Sequence, residues 1–89
     1  MLAADIPQEF ILQYIERRKT DLEICEHALQ SKDFDVMARV GHQIKGNAAS
    51  FGFNDLGHIA IDMETYALKQ DEQNLQKVMN RFHYFLDRH

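Results

Sequence analysis

One cysteine and one proline are all that this 89-residue sequence holds of either residue. A lone thiol, Cys25, cannot close an internal disulfide, so the fold needs no oxidising compartment. Cys25 is read instead as a small buried hydrophobe. The proline, Pro7, sits near the start, away from the segments with the clearest periodicity. No apolar run approaches the ~20 residues that cross a bilayer. The opening MLAADIPQEF lacks a basic stretch followed by an apolar one, so no signal peptide is expected. An excess of basic charge is missing too. The net charge is −4, which argues against nucleic acid as a partner. No run alternates with period two, no Asn-Gly dipeptide marks a hairpin, and no linker, low-complexity tract or internal repeat occurs.

What is present is apolar content and helical periodicity. Apolar residues make up 45% of the chain, enough for a packed core in one small domain spanning residues 1–89. The expectation is a soluble, cytoplasmic protein that contacts no membrane. The first helix starts near Pro7, with Asp5 as its cap, and carries Phe10, Ile11, Tyr14, Ile15, Leu22, Cys25 and Leu29 as apolar positions. It is either one long helix or two pieces broken near Arg18 to Thr20. The second begins at the cap Asp33 and runs to about Phe51, where Gly52 reads as a left-handed stop. The third follows the cap Asn54 to about Lys69, with the stripe Leu56, Ile59, Ala60, Met63 and Ala67. The fourth follows the cap Asp71, with the stripe Leu75, Val78, Met79, Phe82, Phe85 and Leu86. Short connections make sequential helices antiparallel. The fold class is therefore all-α, an antiparallel up-down four-helix bundle.

The stretch GHQIKGNAASFGFNDLGH, Gly41 to His58, is the one that departs from ordinary helix composition. Two glycines bracket His42, and each costs about 1 kcal/mol of helix propensity relative to alanine. The apolar stripe of this helix is Met37, Val40, Ile44, Ala48 and Phe51, spaced three, four, four and three. At 100° per residue, His42 lies about 160° from the stripe's centre, facing solvent. Its neighbours at i±4, i+3 and i+7 are Ala38, Gly46, Lys45 and Ala49. Three are tiny and one is a cation, whereas the first helix exposes Glu16, Arg17, Arg18 and Lys19. Small residues here let another protein approach His42, with Gly46 clearing the space. Gly41 is compatible with close packing at the helix flank.

An exposed imidazole titrates near pH 6.5 and is a competent nucleophile at neutral pH. Lys45 disfavours a metal ion at His42 and favours a phosphoryl group, which carries nearly two negative charges. Positioning and charge neutralisation are most of what phosphoryl transfer requires. No histidine pair stands at i,i+4 and no Cys–His set occurs, so His27, His58, His83 and His89 are read as surface or boundary residues. No serine or cysteine has a credible base partner in sequence.

His42-Gln-Ile-Lys45-Gly46, followed by Ala48, Phe51, Gly52, Phe53 and Leu56, resembles the HxxKG motif of histidine phosphotransfer (HPt) domains. The wording HQIKGNAASFGF is similar to the phosphoacceptor domains of chemotaxis histidine kinases. The resemblance is clear over about Asp33 to Lys69. It implies a four-helix bundle in which His42 accepts phosphate through Nε2, Lys45 steadies the phosphoryl group and Gly46 admits the partner. It implies response-regulator receiver domains, and a histidine kinase or hybrid kinase, as partners. The Mg²⁺ is then the receiver's, and no cofactor is expected on this chain. It further implies that Glu64, about 80° from the third helix's stripe, bonds the acceptor imidazole. An ordinary solvated glutamate is the other reading of that position. The chemotaxis pattern often has a histidine one turn earlier, where this chain has Ile61. That departure favours a general phosphorelay module. Ile61, with Gly57 and Leu68, forms an outward apolar strip read as part of a docking patch.

The leading expectation is a phosphotransfer intermediate between receiver aspartates, a phosphocarrier without an ATP site of its own. The alternatives are the acceptor domain of a larger histidine kinase, and a helical module that binds receivers without taking phosphate.

Overall fold

The computed structural model describes residues 5–89. Residues 1–4 of the expected 1–89 domain, which begin the stretch read for a signal pattern, lie outside the described residues. Four helices account for most of the rest: α1 (Gln8–Gln30), α2 (Phe34–Asn47), α3 (Asn54–Leu68) and α4 (Glu72–Asp87). They form an antiparallel up-down bundle, and no strand occurs among the described residues. None of the helices is long and apolar enough to cross a membrane.

The first helix is continuous rather than broken. Arg18 to Thr20 contain neither glycine nor proline. The i,i+3 pairs Arg18–Asp21 (2.7 Å) and Lys19–Glu16 (3.2 Å) bridge the stretch where the apolar stripe lapses. Arg18 also covers the gap by lying over the Tyr14 ring, 4.5 Å from its centroid. Pro7, not Asp5, occupies the N-cap position, and its carbonyl accepts from the amides of Phe10 and Ile11. Phe10 is 51% exposed and so leaves the expected core, while Ala28 joins it.

The core stripes of α3 and α4 are buried at every expected position, as are Met37, Val40, Ile44 and Ala48 from the second. Each large buried side chain contributes about 1.5–3 kcal/mol, so α4, with six such residues, anchors the bundle. Cys25 is fully buried, its thiol 3.7 Å from the Met63 sulfur. Burial, with Asp21 adding to it, pushes that thiol up to about 12. It is inert at neutral pH.

The two ends of the bundle are built differently. At one end, α1–α2 and α3–α4 turn by the same device. A left-handed residue, Lys32 or Gln70, precedes an aspartate whose side chain caps the next helix. Asp33 accepts from the Val36 amide and Asp71 from the Asn74 amide, and Lys32 reaches Glu72 across the end at 3.9 Å. At the other end α2 stops at Asn47 and not Phe51. The backbone tightens into a 3₁₀ turn, Ala49–Phe51, with the Phe51 amide bonded to the Ala48 carbonyl. That turn lays Phe51 on Tyr14, ring centroids 4.1 Å apart, and Gly52 reverses the chain at φ 83°. Asn54 is the first residue of α3 rather than its cap. Phe53 takes the cap position, and Asp55 accepts from the adjacent Leu56 amide.

α2 and α3 form the most closely packed pair of helices. Their facing residues are small: Gly41 and Ala48 on one side, Gly57 and Ala60 on the other. A Cβ at Gly41 would stand 2.9 Å from the Ala60 carbonyl oxygen and 2.9 Å from the Glu64 amide nitrogen. One at Gly57 would lie 3.9 Å from the Ala48 methyl. Gly41 is thus where one backbone rests on the other.

Candidate functional site

His42 stands in the middle of α2 on the face opposite the core, its side chain 69% exposed. A core histidine is excluded. The close approach at Gly41 brings the Glu64 backbone down beside His42. The Glu64 carboxylate then reaches two groups on α2 at once. Its Oε2 lies 2.9 Å from His42 Nδ1, and its Oε1 lies 2.7 Å from Lys45 Nζ.

This geometry assigns the tautomer. The Lys45 ammonium, and after it the His42 hydrogen bond, holds the Glu64 carboxyl below its ordinary range against a smaller opposing effect of burial. The group is therefore ionised at neutral pH and can only accept. Nδ1 must be the protonated nitrogen, and Nε2 carries the free lone pair. The ring presents that lone pair to solvent, because Nδ1 is turned toward α3.

Lys45 is exposed but not unpaired. It is 38% exposed and paired with Glu64. Around His42, Ala38 is half-buried, and Gly46 and Ala49 are exposed. A Cβ built at Gly46 meets nothing within 4 Å. On α3 the outward side carries Ile61, 44% exposed, and Leu68, 71% exposed. Gly57 lies between that side and the α2 contact and is half-buried. Ile61 and Leu68 share the Glu64 side of their helix by register, at i−3 and i+4.

Counting neighbours at i±4, i+3 and i+7 omits two exposed residues, those at i−3 and i−7, Arg39 and Asp35. Arg39, at i−3, stands on the same exposed face as His42. The signal was available in the spacing. The other four histidines are exposed and dispersed: His83 lies 3.3 Å from Glu26, and His89 packs on Phe53 and Phe85 at the aromatic end.

Chemically, the arrangement is an oriented nucleophile. A fixed carboxylate stands behind the ring to take up positive charge, and the side chain is largely exposed to solvent. A family model described as Hpt domain matches residues 9–88. No curated protein and no solved structure matches the chain.

Proposed function

The chain belongs to the Hpt domain family, whose role is phosphotransfer in two-component signalling, and from that premise we propose that His42 is its phosphoacceptor. The donor is a receiver-domain aspartyl phosphate or a histidine kinase or hybrid kinase, and the acceptor is a receiver aspartate. The protein works in the cytoplasm as a phosphohistidine carrier. Receiver-held Mg²⁺ supplies the metal chemistry in trans, so this chain contributes the nucleophile and its setting.

The observation that carries the reading is the Glu64 carboxylate 2.9 Å from Nδ1, with the other ring nitrogen turned to water. In the transfer, the Nε2 lone pair forms the N–P bond as the donor's P–O bond breaks. The released electron pair stays on the aspartyl carboxylate. No proton moves. The ring keeps its Nδ1 hydrogen and becomes cationic, and Glu64 stabilises that charge where it develops. In the reverse direction the same ring leaves as neutral imidazole. Lys45 steadies the phosphoryl oxygens. Ala38, Gly46, Ala49, Ile61 and Leu68 form the docking surface around the nucleophile, small on α2 and apolar on α3.

The test is incubation with a phosphorylated receiver, read by intact mass. One acid-labile phosphate is expected on the wild type and none on His42→Gln. Equal gain by both proteins would defeat the assignment. Receiver binding that survives His42→Ala, with no phosphate on the chain, would favour a purely adhesive module.

A further inference from the structure

Arg18, Lys19, Lys32, Lys45, Arg81 and Arg88 are each ion-paired to a carboxylate. Arg39, like Arg17, Lys69 and Lys77, forms no ion pair or side-chain hydrogen bond among the described residues, and of these four it alone stands on α2, one turn before His42 on the exposed face. Asp35, one further turn back, is exposed and does not pair with it. Resting on the phosphotransfer reading above, we propose that Arg39 is the second phosphoryl-binding side chain of the site. It grips oxygens of the phosphate on His42 Nε2 from the flank opposite Lys45.

Helix geometry places it there. At 100° per residue, Lys45 lies about 60° to one side of His42 and Arg39 about 60° to the other. Lys45 is on the α3 side, where it meets Glu64 at 2.7 Å. Arg39 is on the side away from Glu64. Helical side chains lean toward the N-terminus, so the His42 ring overlies the turn that holds Ala38 and Arg39. Ala38 leaves that ground low, and Arg39 is the one long side chain at its edge.

Charge bookkeeping favours the same residue. The Glu64 carboxylate already offsets Lys45 and also bonds the imidazole. A phosphoryl group arriving at Nε2 brings nearly two negative charges to a cluster in which Lys45 is spoken for. Arg39 brings an uncompensated charge and a planar fork of donors that matches two phosphate oxygens. Because it starts without a partner, no existing ion pair has to break.

The reaction that isolates this contact uses phosphoramidate, a small donor with no protein surface. Nε2 attacks phosphorus, the donor's P–N bond breaks, and the nitrogen leaves as ammonia. The rate of gain of acid-labile phosphate on His42 is measured for the full chain. Arg39→Gln should slow it by about tenfold, the equivalent of one lost charge-assisted contact of ~1.4 kcal/mol. Arg39→Lys should recover part of the rate, and the melting temperature should not move. Lys77→Gln, which removes one charge from exposed α4, should react at the wild-type rate. An Arg39→Gln protein as fast as wild type overturns the proposal. So does one slowed only with a phosphorylated receiver, since that pattern assigns Arg39 to docking. A wild type that takes no phosphate from either donor, with intact fold, overturns the phosphoacceptor reading itself and this proposal with it. Normal wild-type phosphorylation with an unaffected variant removes Arg39 alone.

Discussion

Gly41 and Gly46 are the same residue in the same helix, about one and a half turns apart, and a methyl group added to each meets opposite surroundings. At Gly41 it would strike the Ala60 carbonyl and the Glu64 amide at 2.9 Å, both main-chain atoms that cannot swing aside. At Gly46 it meets nothing within 4 Å. One glycine therefore draws the bundle together and the other holds a surface open. Both act on His42. Gly41 brings Glu64 to Nδ1 from behind, and Gly46 leaves the surface one turn on from His42 open. The lesson is that a glycine's helix-propensity cost says nothing about what it gains. Only the neighbouring backbone distinguishes the two.

The largest break in that comparison should come from Gly41→Val. Overpacking of this kind costs about 1–3 kcal/mol, and valine offers little helix propensity in return. Each kcal/mol shifts the midpoint of a domain this size by about 4–8 °C, so thermal unfolding should show a fall of roughly 5–20 °C. The Nδ1 environment should change as well, because α3 cannot descend as far. A nitrogen NMR spectrum of His42 reads the tautomer directly. An unshifted midpoint with an unshifted spectrum would mean that α3 accommodates the side chain freely.

Gly46→Gln should do the reverse to the fold. Glutamine replaces glycine in an exposed helical position, a gain of up to about 1 kcal/mol and a few degrees in the midpoint. Transfer from a phosphorylated receiver should fall at least tenfold, because the new side chain stands where the partner must come close. With phosphoramidate the rate should hardly change. Receiver transfer at the wild-type rate would show that Gly46 clears nothing.

How much of this was legible in advance depended on whether a local pattern decided it. The stripes of α3 and α4, the caps Asp33 and Asp71, and Gly52 as a left-handed stop all follow from spacing within one helix or one turn. The outward direction of His42 follows the same way. What failed were features set by contacts between elements. The second helix ends early because Phe51 stacks on Tyr14 of the first. Gly41 was read as allowing close packing at the helix flank, but what it packs against lies on another helix, at the Ala60 carbonyl and the Glu64 amide. The pairing of Lys45 with Glu64 was hidden for the same reason. Arg39 is the exception, since its place beside His42 needed only a count of three residues backward.

Glu64 supplies a test of what Gly41 accomplishes. Its carboxyl is held below the ordinary range, first by the Lys45 hydrogen bond and then by His42. A depressed folded-state value stabilises the fold above the unfolded carboxyl range, near pH 4.3. That contribution is lost as pH falls through the lower folded value. Glu64→Gln should therefore flatten the acid limb of the stability profile below about pH 4.3 while changing little at its foot. Phosphotransfer at neutral pH should slow by about tenfold, since the group that orients the ring and receives its charge is gone. If the acid limbs of the two proteins coincide, Glu64 is not paired in solution.

The smallest expected effect sharpens the comparison most. The Lys45–Glu64 pair is partly exposed, and such pairs contribute at most about 1 kcal/mol. Lys45→Ala should accordingly cost only a few tenths of a kcal/mol, measured by urea unfolding, while slowing transfer. Glu64 reaches Lys45 only because the two backbones meet at Gly41. In a Gly41→Ala background that pair should already be stretched, so Lys45→Ala should then cost nothing further. In a Gly46→Ala background its cost should persist, because a methyl there touches no part of α3. A double-mutant cycle should therefore give a coupling of a few tenths of a kcal/mol between positions 41 and 45, and additivity between 45 and 46. Here the residues adjacent in sequence should be independent and the more distant pair coupled. The opposite result would mean that Gly41 and Gly46 differ only in the space around them, with no consequence for the charges at His42.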